Sequence, residues 1–128
     1  MNPFVEIENV TLSYSDELRE PAVQDLSMSI EEGEFSAVVG PSGCGKSTLM
    51  KLVTGLLFPQ AGQVSVDGTQ VDSPLKIAGM AFQNPVMLPW RKTLENLLLP
   101  LEIVSPHRER LRKEKKAYRQ QAEELLKT

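Results

Sequence analysis

A chain of 128 residues is long enough for one domain or part of one, and 41% hydrophobic with 24% charged residues is an ordinary globular balance. The formal net charge of -3 argues against a nucleic-acid binder, which needs a basic excess. The single cysteine, Cys44, has no internal partner, so a reducing compartment is expected. Met1 to Glu6 has no basic-then-apolar leader pattern, and the longest apolar stretch, Leu97 to Val104, is interrupted by Pro100 and Glu102 and too short to span a bilayer.

In chain order, Phe4 to Val10 alternates apolar and polar residues and predicts a half-buried strand. Tyr14 closes it, and Ser15 to Glu20 reads as a polar loop ended by Pro21. Leu26 to Ile30 alternates again, Glu31 to Glu34 makes a turn, and Phe35 to Val39 has the apolar run of a buried parallel strand. Leu49, Leu52, Val53 and Leu56 give Lys46 to Leu56 the spacing of an amphipathic helix. Gln63 to Val66 predicts a strand turned over by Asp67-Gly68, and Ile77 to Phe82 another, entering a loop at Gln83-Asn84-Pro85. Thr93 is the expected N-cap of a helix through Leu99, with Asn96 in place of a capping-box acid. Beyond Pro106, Leu111, Tyr118, Ala122 and Leu125 share one helical face, and the basic residues from Arg108 to Arg119 read as a solvated one.

The chemistry sits between the third strand and the first helix. Gly40-Pro41-Ser42-Gly43-Cys44-Gly45-Lys46-Ser47 has the spacing G-x-x-x-x-G-K-[ST], followed by Thr48. Glycines there let backbone N–H groups curl inward around phosphates, and the helix N-terminus adds partial positive charge. Lys46 is the candidate for the β- and γ-phosphates, and Ser47 for Mg²⁺. Cys44 lies inside the cradle, where bound ATP would shield its thiol.

With this loop, Tyr14 upstream of it, Ala81-Phe82-Gln83-Asn84-Pro85 downstream, and the run Gln24 to Glu34 before it, the chain resembles ABC transporter ATPases along essentially its whole length. The segment Val86 to Asn96 is similar to the importers of nitrate, sulfonates, taurine and pyrimidine precursors. The resemblance implies an α/β P-loop fold of the ABC ATPase type: N-terminal antiparallel strands, a P-loop strand–helix unit and the start of the helical subdomain. Residues 1–92 would belong to the nucleotide-binding core and 93–128 to the helical subdomain. It implies ATP and Mg²⁺ as ligands, with Tyr14 stacked on adenine and Gly40, Pro41, Ser42, Gly43, Cys44, Gly45, Lys46, Ser47 and Thr48 around the phosphates. Lys46 and Gln83 are the implied catalytic groups, and Ser47 and Gln83 the implied metal ligands. Met87, Leu88, Trp90 and Arg91 would face a membrane permease, and a second ATPase subunit would complete a dimer. The location would be peripheral, on the cytoplasmic face of the membrane.

The family's signature, Asp-Glu and switch-histidine motifs are not in this sequence, so the chain is expected to be a front portion of the cassette, unable to hydrolyse ATP alone. A poorly folded product is expected, because strands missing from the sheet leave apolar edges unpaired. Two alternatives remain at this level. One is a short protein that binds nucleotide or permease without hydrolysis. The other is a P-loop nucleoside monophosphate kinase, which the two strands and Tyr14 ahead of the loop disfavour.

Overall fold

The computed structural model describes residues 3–14, 21–84 and 87–127. The expected loop at 15–20, and Pro85 and Val86 of the downstream motifs, lie outside them. The chain forms two compact units, Met1–Gly79 and Met80–Thr128.

The first unit is an antiparallel sheet carrying one helix. Strands β1 (Val5–Leu12), β2 (Val23–Ile30), β3 (Ala61–Val66) and β4 (Thr69–Gln70) are ordered β2-β1-β3-β4. Strict alternation would put Val10 on the opposite face from Val5 and Ile7, yet all three are buried, as is Leu12. An extra residue at Asn9 resets the pleat: Ile7 pairs with Met28 and Val10 with Leu26, so three steps on β1 oppose two on β2. Asn9 takes φ 49° and Asp25, in the bulge of β2, φ 45°, conformations that Asn and Asp tolerate. Side chains make the bonds that bulged strands lose: Asn9 N–H donates to Ser27 Oγ (2.9 Å), Asp25 N–H to Thr11 Oγ1 (3.0 Å), and Asn9 Nδ2 to Asp25 Oδ1 (3.0 Å).

Gly62 lies against this bulge. It has φ 79°, and a Cβ there would run into the carbonyl oxygens of Glu8 and Asn9. Gly62→Ala is therefore expected to destabilise the unit by about 1–3 kcal/mol, read as a drop of several degrees in Tm.

Helix α1 (Lys46–Val53) packs Leu49 and Leu52 into the core that Val5, Ile7, Val10, Leu12, Val64, Val66 and Val71 form. After the β2 exit, the Glu34 carboxylate accepts from the Glu31 N–H (2.9 Å) and the Ser36 hydroxyl (2.9 Å), which holds its carboxyl below the usual range.

Two expected strands do not form ladders. Phe35 and Val39 are more than nine-tenths exposed, and no strand among the described residues lies beside the Phe35–Val39 segment. Ile77–Phe82 carries no ladder either. An apolar run records that a segment is suited to burial between layers; it cannot say which segments supply the layers.

The second unit is helical: α2 (Thr93–Ile103), α3 (His107–Lys113) and α4 (Lys115–Leu125). The N-cap is Lys92, not Thr93, because this puts Glu95 at the third helical position, where its Oε2 accepts the Lys92 N–H at 3.0 Å. The helix also runs past Leu99 through Pro100, whose fixed φ suits a helix although its ring costs one bond. The predicted single face beyond Pro106 breaks at Glu114 (φ -118°, ψ 30°). Ala122 is buried and Tyr118 half-buried, while Leu125 is exposed.

Candidate functional site

Gly40 to Thr48 forms an open loop that turns into α1. Two glycines take left-handed conformations, Gly43 at φ 82° and Gly45 at φ 97°. At Gly45 the constraint is doubled, since a Cβ would meet the Ala22 carbonyl oxygen at 2.5 Å, so the loop rests against the start of β2. Gly45 is also the N-cap of α1. The usual Ser, Thr or Asp cap spends a side-chain oxygen on first-turn N–H groups; glycine has none to offer and leaves them to an anion. The first i→i−4 bond is made by Leu49 N–H to Gly45 O at 2.9 Å. The N–H groups of Lys46, Ser47 and Thr48 precede it and point from the helix end. No acidic residue lies in that first turn to oppose an anion.

Lys46 folds back over the loop. Its Nζ donates to the carbonyls of Gly40 (2.7 Å) and Pro41 (2.5 Å) and lies 3.5 Å from Cys44 Sγ. The ammonium is therefore held against the loop's own backbone by neutral acceptors, which a phosphate oxygen can replace. Ser47 presents an exposed side chain, whereas Thr48 is buried. Tyr14 meets this helix: its OH lies 2.9 Å from Thr48 Oγ1, and more than half of its surface remains exposed. The family resemblance implied Tyr14 as a stacking ring but gave no sign of the bond that anchors it.

The description that fits this arrangement is supplied by comparison: the family model for ABC transporters matches residues 23–128. The chain belongs to the ABC transporter family. Among curated ABC proteins, the taurine import ATP-binding protein TauB of Yersinia pestis is 38% identical over 104 residues, 81% of this chain and 41% of TauB. The bicarbonate transport ATP-binding protein CmpD of Synechococcus elongatus is 39% identical over 106 residues, 82% of this chain and 38% of CmpD. The nitrate import ATP-binding protein NrtD of the same organism is 41% identical over 86 residues, 67% of this chain and 31% of NrtD. The chain thus spans about two fifths or less of the length of these relatives. The dimeric cassette MJ0796, solved in a post-hydrolysis state bound to ADP and Pi, superposes with a TM-score of 0.75 at 31% identity, covering 96% of this chain and 56% of that one. The expected α/β fold of the ABC ATPase type is borne out by this likeness and by the family match, with the P-loop helix formed and the strand before it unpaired.

The remaining predicted residues of the ABC chain lie in the second unit. Gln83 is exposed. Trp90 is 76% exposed and so is not a plug for its own loop, Met87 is half-exposed, and Leu88 is half-buried. Arg91 is committed to Glu102 at 2.8 Å. A residue that sequence reasoning undervalued is Asn96: its Oδ1 accepts the Leu88 N–H (2.7 Å), and its Nδ2 donates to the carbonyls of Leu88, Arg91 and Lys92. One amide thereby shapes the turn that presents Trp90. The signal was an asparagine one turn into a helix that follows a Pro-Trp turn.

Proposed function

We propose that this chain is the ATP-holding portion of the ATP-binding subunit of an importer in the group that handles nitrate, sulfonates, taurine and related solutes. The observation that carries the reading is the cradle itself: first-turn amides of α1, uncapped by any side chain, with the Lys46 ammonium beside them. In this reading the backbone from Gly40 to Thr48 receives the phosphates, and Lys46 exchanges its carbonyl acceptors for β- and γ-phosphate oxygens. The exposed face of Tyr14 receives adenine, a stack worth about 1–3 kcal/mol. Mg²⁺ fits the donor at hand, since the Ser47 hydroxyl is a hard neutral ligand for an ion that takes most of its shell from phosphate and water. Bound there, it supplies charge neutralisation on the phosphates. Gln83 keeps the implied role of orienting water with a neutral amide.

The names of the relatives and the exposed Trp90 and Met87 support a permease as partner, with Leu88 and Arg91 at the margin of that surface. The likeness to a dimeric cassette supports a second ATPase subunit. No helix among the described residues is long and apolar enough to cross a membrane, which fits attachment through such a permease. Residues 1–92 are assigned to the nucleotide-binding core and 93–128 to the helical subdomain. These residues hold ATP; turnover is assigned to the complete subunit.

Cys44 provides the test. Its thiol is exposed and lies 3.5 Å from Lys46 Nζ, within the volume a triphosphate would fill. Saturating MgATP is expected to slow alkylation of Cys44 by maleimide at least about tenfold, the protection that 90% occupancy gives. Equal rates with and without MgATP would remove the nucleotide from the loop.

A further inference from the structure

We propose that Thr48 and Gln60 are positioning residues for the nucleotide base, holding the ring of Tyr14 at the edge of the phosphate loop. The inference rests on the nucleotide-binding reading above and deepens it. Thr48 is the third residue of α1 and only 5% exposed. Serine and threonine hydroxyls near a helix start commonly bond local backbone groups. That of Thr48 instead meets Tyr14 OH, 34 positions earlier in the chain, at 2.9 Å. Gln60, beyond the other end of α1, grips the same strand end through two bonds. Its backbone N–H donates to Thr11 O (2.9 Å), and its Oε1 accepts the Ser13 N–H (2.8 Å). Ser13 follows the last residue of β1, so a side chain continues the bonding where the strand ends.

Tyr14 is therefore held at its hydroxyl tip by Thr48 and follows directly on a strand end that Gln60 binds at Thr11 and Ser13, while 56% of its surface stays open to a ligand. A ring that is already immobilised loses little rotamer freedom when a base stacks on it, so more of the stacking free energy appears as affinity. The phosphate loop and the base platform are also tied through one helix: Thr48 offers its backbone N–H toward the loop and its hydroxyl toward the ring.

The test compares MgATP with magnesium triphosphate, which lacks the base, in equilibrium titrations of the full chain. Tyr14→Phe keeps the ring and removes the bond; Thr48→Val removes it from the other side; Thr48→Ser restores it. Tyr14→Phe, Thr48→Val and Gln60→Ala are each expected to weaken ATP about threefold to tenfold, the effect of one ordinary hydrogen bond. In Tyr14→Phe and Gln60→Ala triphosphate affinity should stay within about twofold, since neither side chain is assigned to the phosphates. Thr48→Ser should match the parent chain, and Tyr14→Phe combined with Thr48→Val should be no worse than the weaker single variant. Equal losses for ATP and triphosphate would overturn the proposal, because Thr48 would then serve the phosphates or the fold. Unchanged ATP affinity in Tyr14→Phe, a substitution at a largely exposed ring, would overturn it too, even if Thr48→Val failed to fold. A parent chain that bound neither ligand would instead sink the nucleotide-binding reading, and this inference with it.

Discussion

Lys46→Glu is expected to weaken nucleotide binding by more than about a hundredfold while leaving the fold intact. The ammonium is held by the Gly40 and Pro41 carbonyls of the loop that leads into the uncapped first turn of α1. A charge-assisted hydrogen bond contributes about 1.5–3 kcal/mol. Reversal both removes it and sets a carboxylate against a polyanion, so a total loss of about 3–5 kcal/mol is expected. That corresponds to an affinity for MgATP roughly 150-fold to 4,000-fold lower by equilibrium titration. Lys46 is only half-buried and belongs to no apolar cluster, so Tm should move by no more than a few degrees. Undiminished affinity in a folded Lys46→Glu chain would mean that the loop is not the phosphate site.

Leu52→Ala should have the largest effect on stability. Leu52 is 1% exposed and joins α1 to the core of β1 and β3, with Ile7, Val10 and Val64 as the other largest fully buried side chains. Truncating such a leucine costs about 2–5 kcal/mol, because the transfer free energy of the removed atoms is lost and a cavity remains. Domains of this size have only about 5–15 kcal/mol to lose. Thermal denaturation followed by circular dichroism should show either a fall in Tm of more than about 10 °C or no cooperative transition. Since α1 carries both the phosphate loop and Thr48, nucleotide affinity should fall in parallel. A variant with an unchanged Tm would show that α1 is not docked on this sheet as described.

The two experiments separate the two levels at which the site is built. Lys46 supplies charge and no packing; Leu52 supplies packing and no chemistry. The Gly62→Ala and Cys44 experiments probe the same levels, the backbone geometry of the β1 bulge and the occupancy of the loop.

Much of the site was legible because its chemistry is local. Gly43, Gly45, Lys46 and Ser47 lie within one turn of chain, and conformation there depends on residue type and short-range sterics. The elements written in short periods, β1, β2, α1 and β3, were legible for the same reason, although the bulge at Asn9 was not. A resetting of the pleat depends on which neighbour opposes each residue. The α2 cap was misplaced by one residue because Thr93 and Lys92 compete for it. The competition is decided by whether Glu95 or Asn96 lands at the third helical position, and Asn96 is engaged with the carbonyls of the preceding turn.

By itself, then, the order of residues determined the glycine-rich loop with its lysine, the amphipathic helix behind it, and the membership that the family match bears out. Tertiary structure alone decided what touches across long separations: Tyr14 on Thr48, Gln60 on Ser13, Gly62 against Glu8 and Asn9. It also decided that Phe35–Val39, apolar enough for a central strand, carries no ladder. The physical reason is common to all of these. Local conformation follows from each residue and its immediate neighbours, whereas hydrogen-bond partners and burial depend on segments distant in sequence, and no short-range pattern records them.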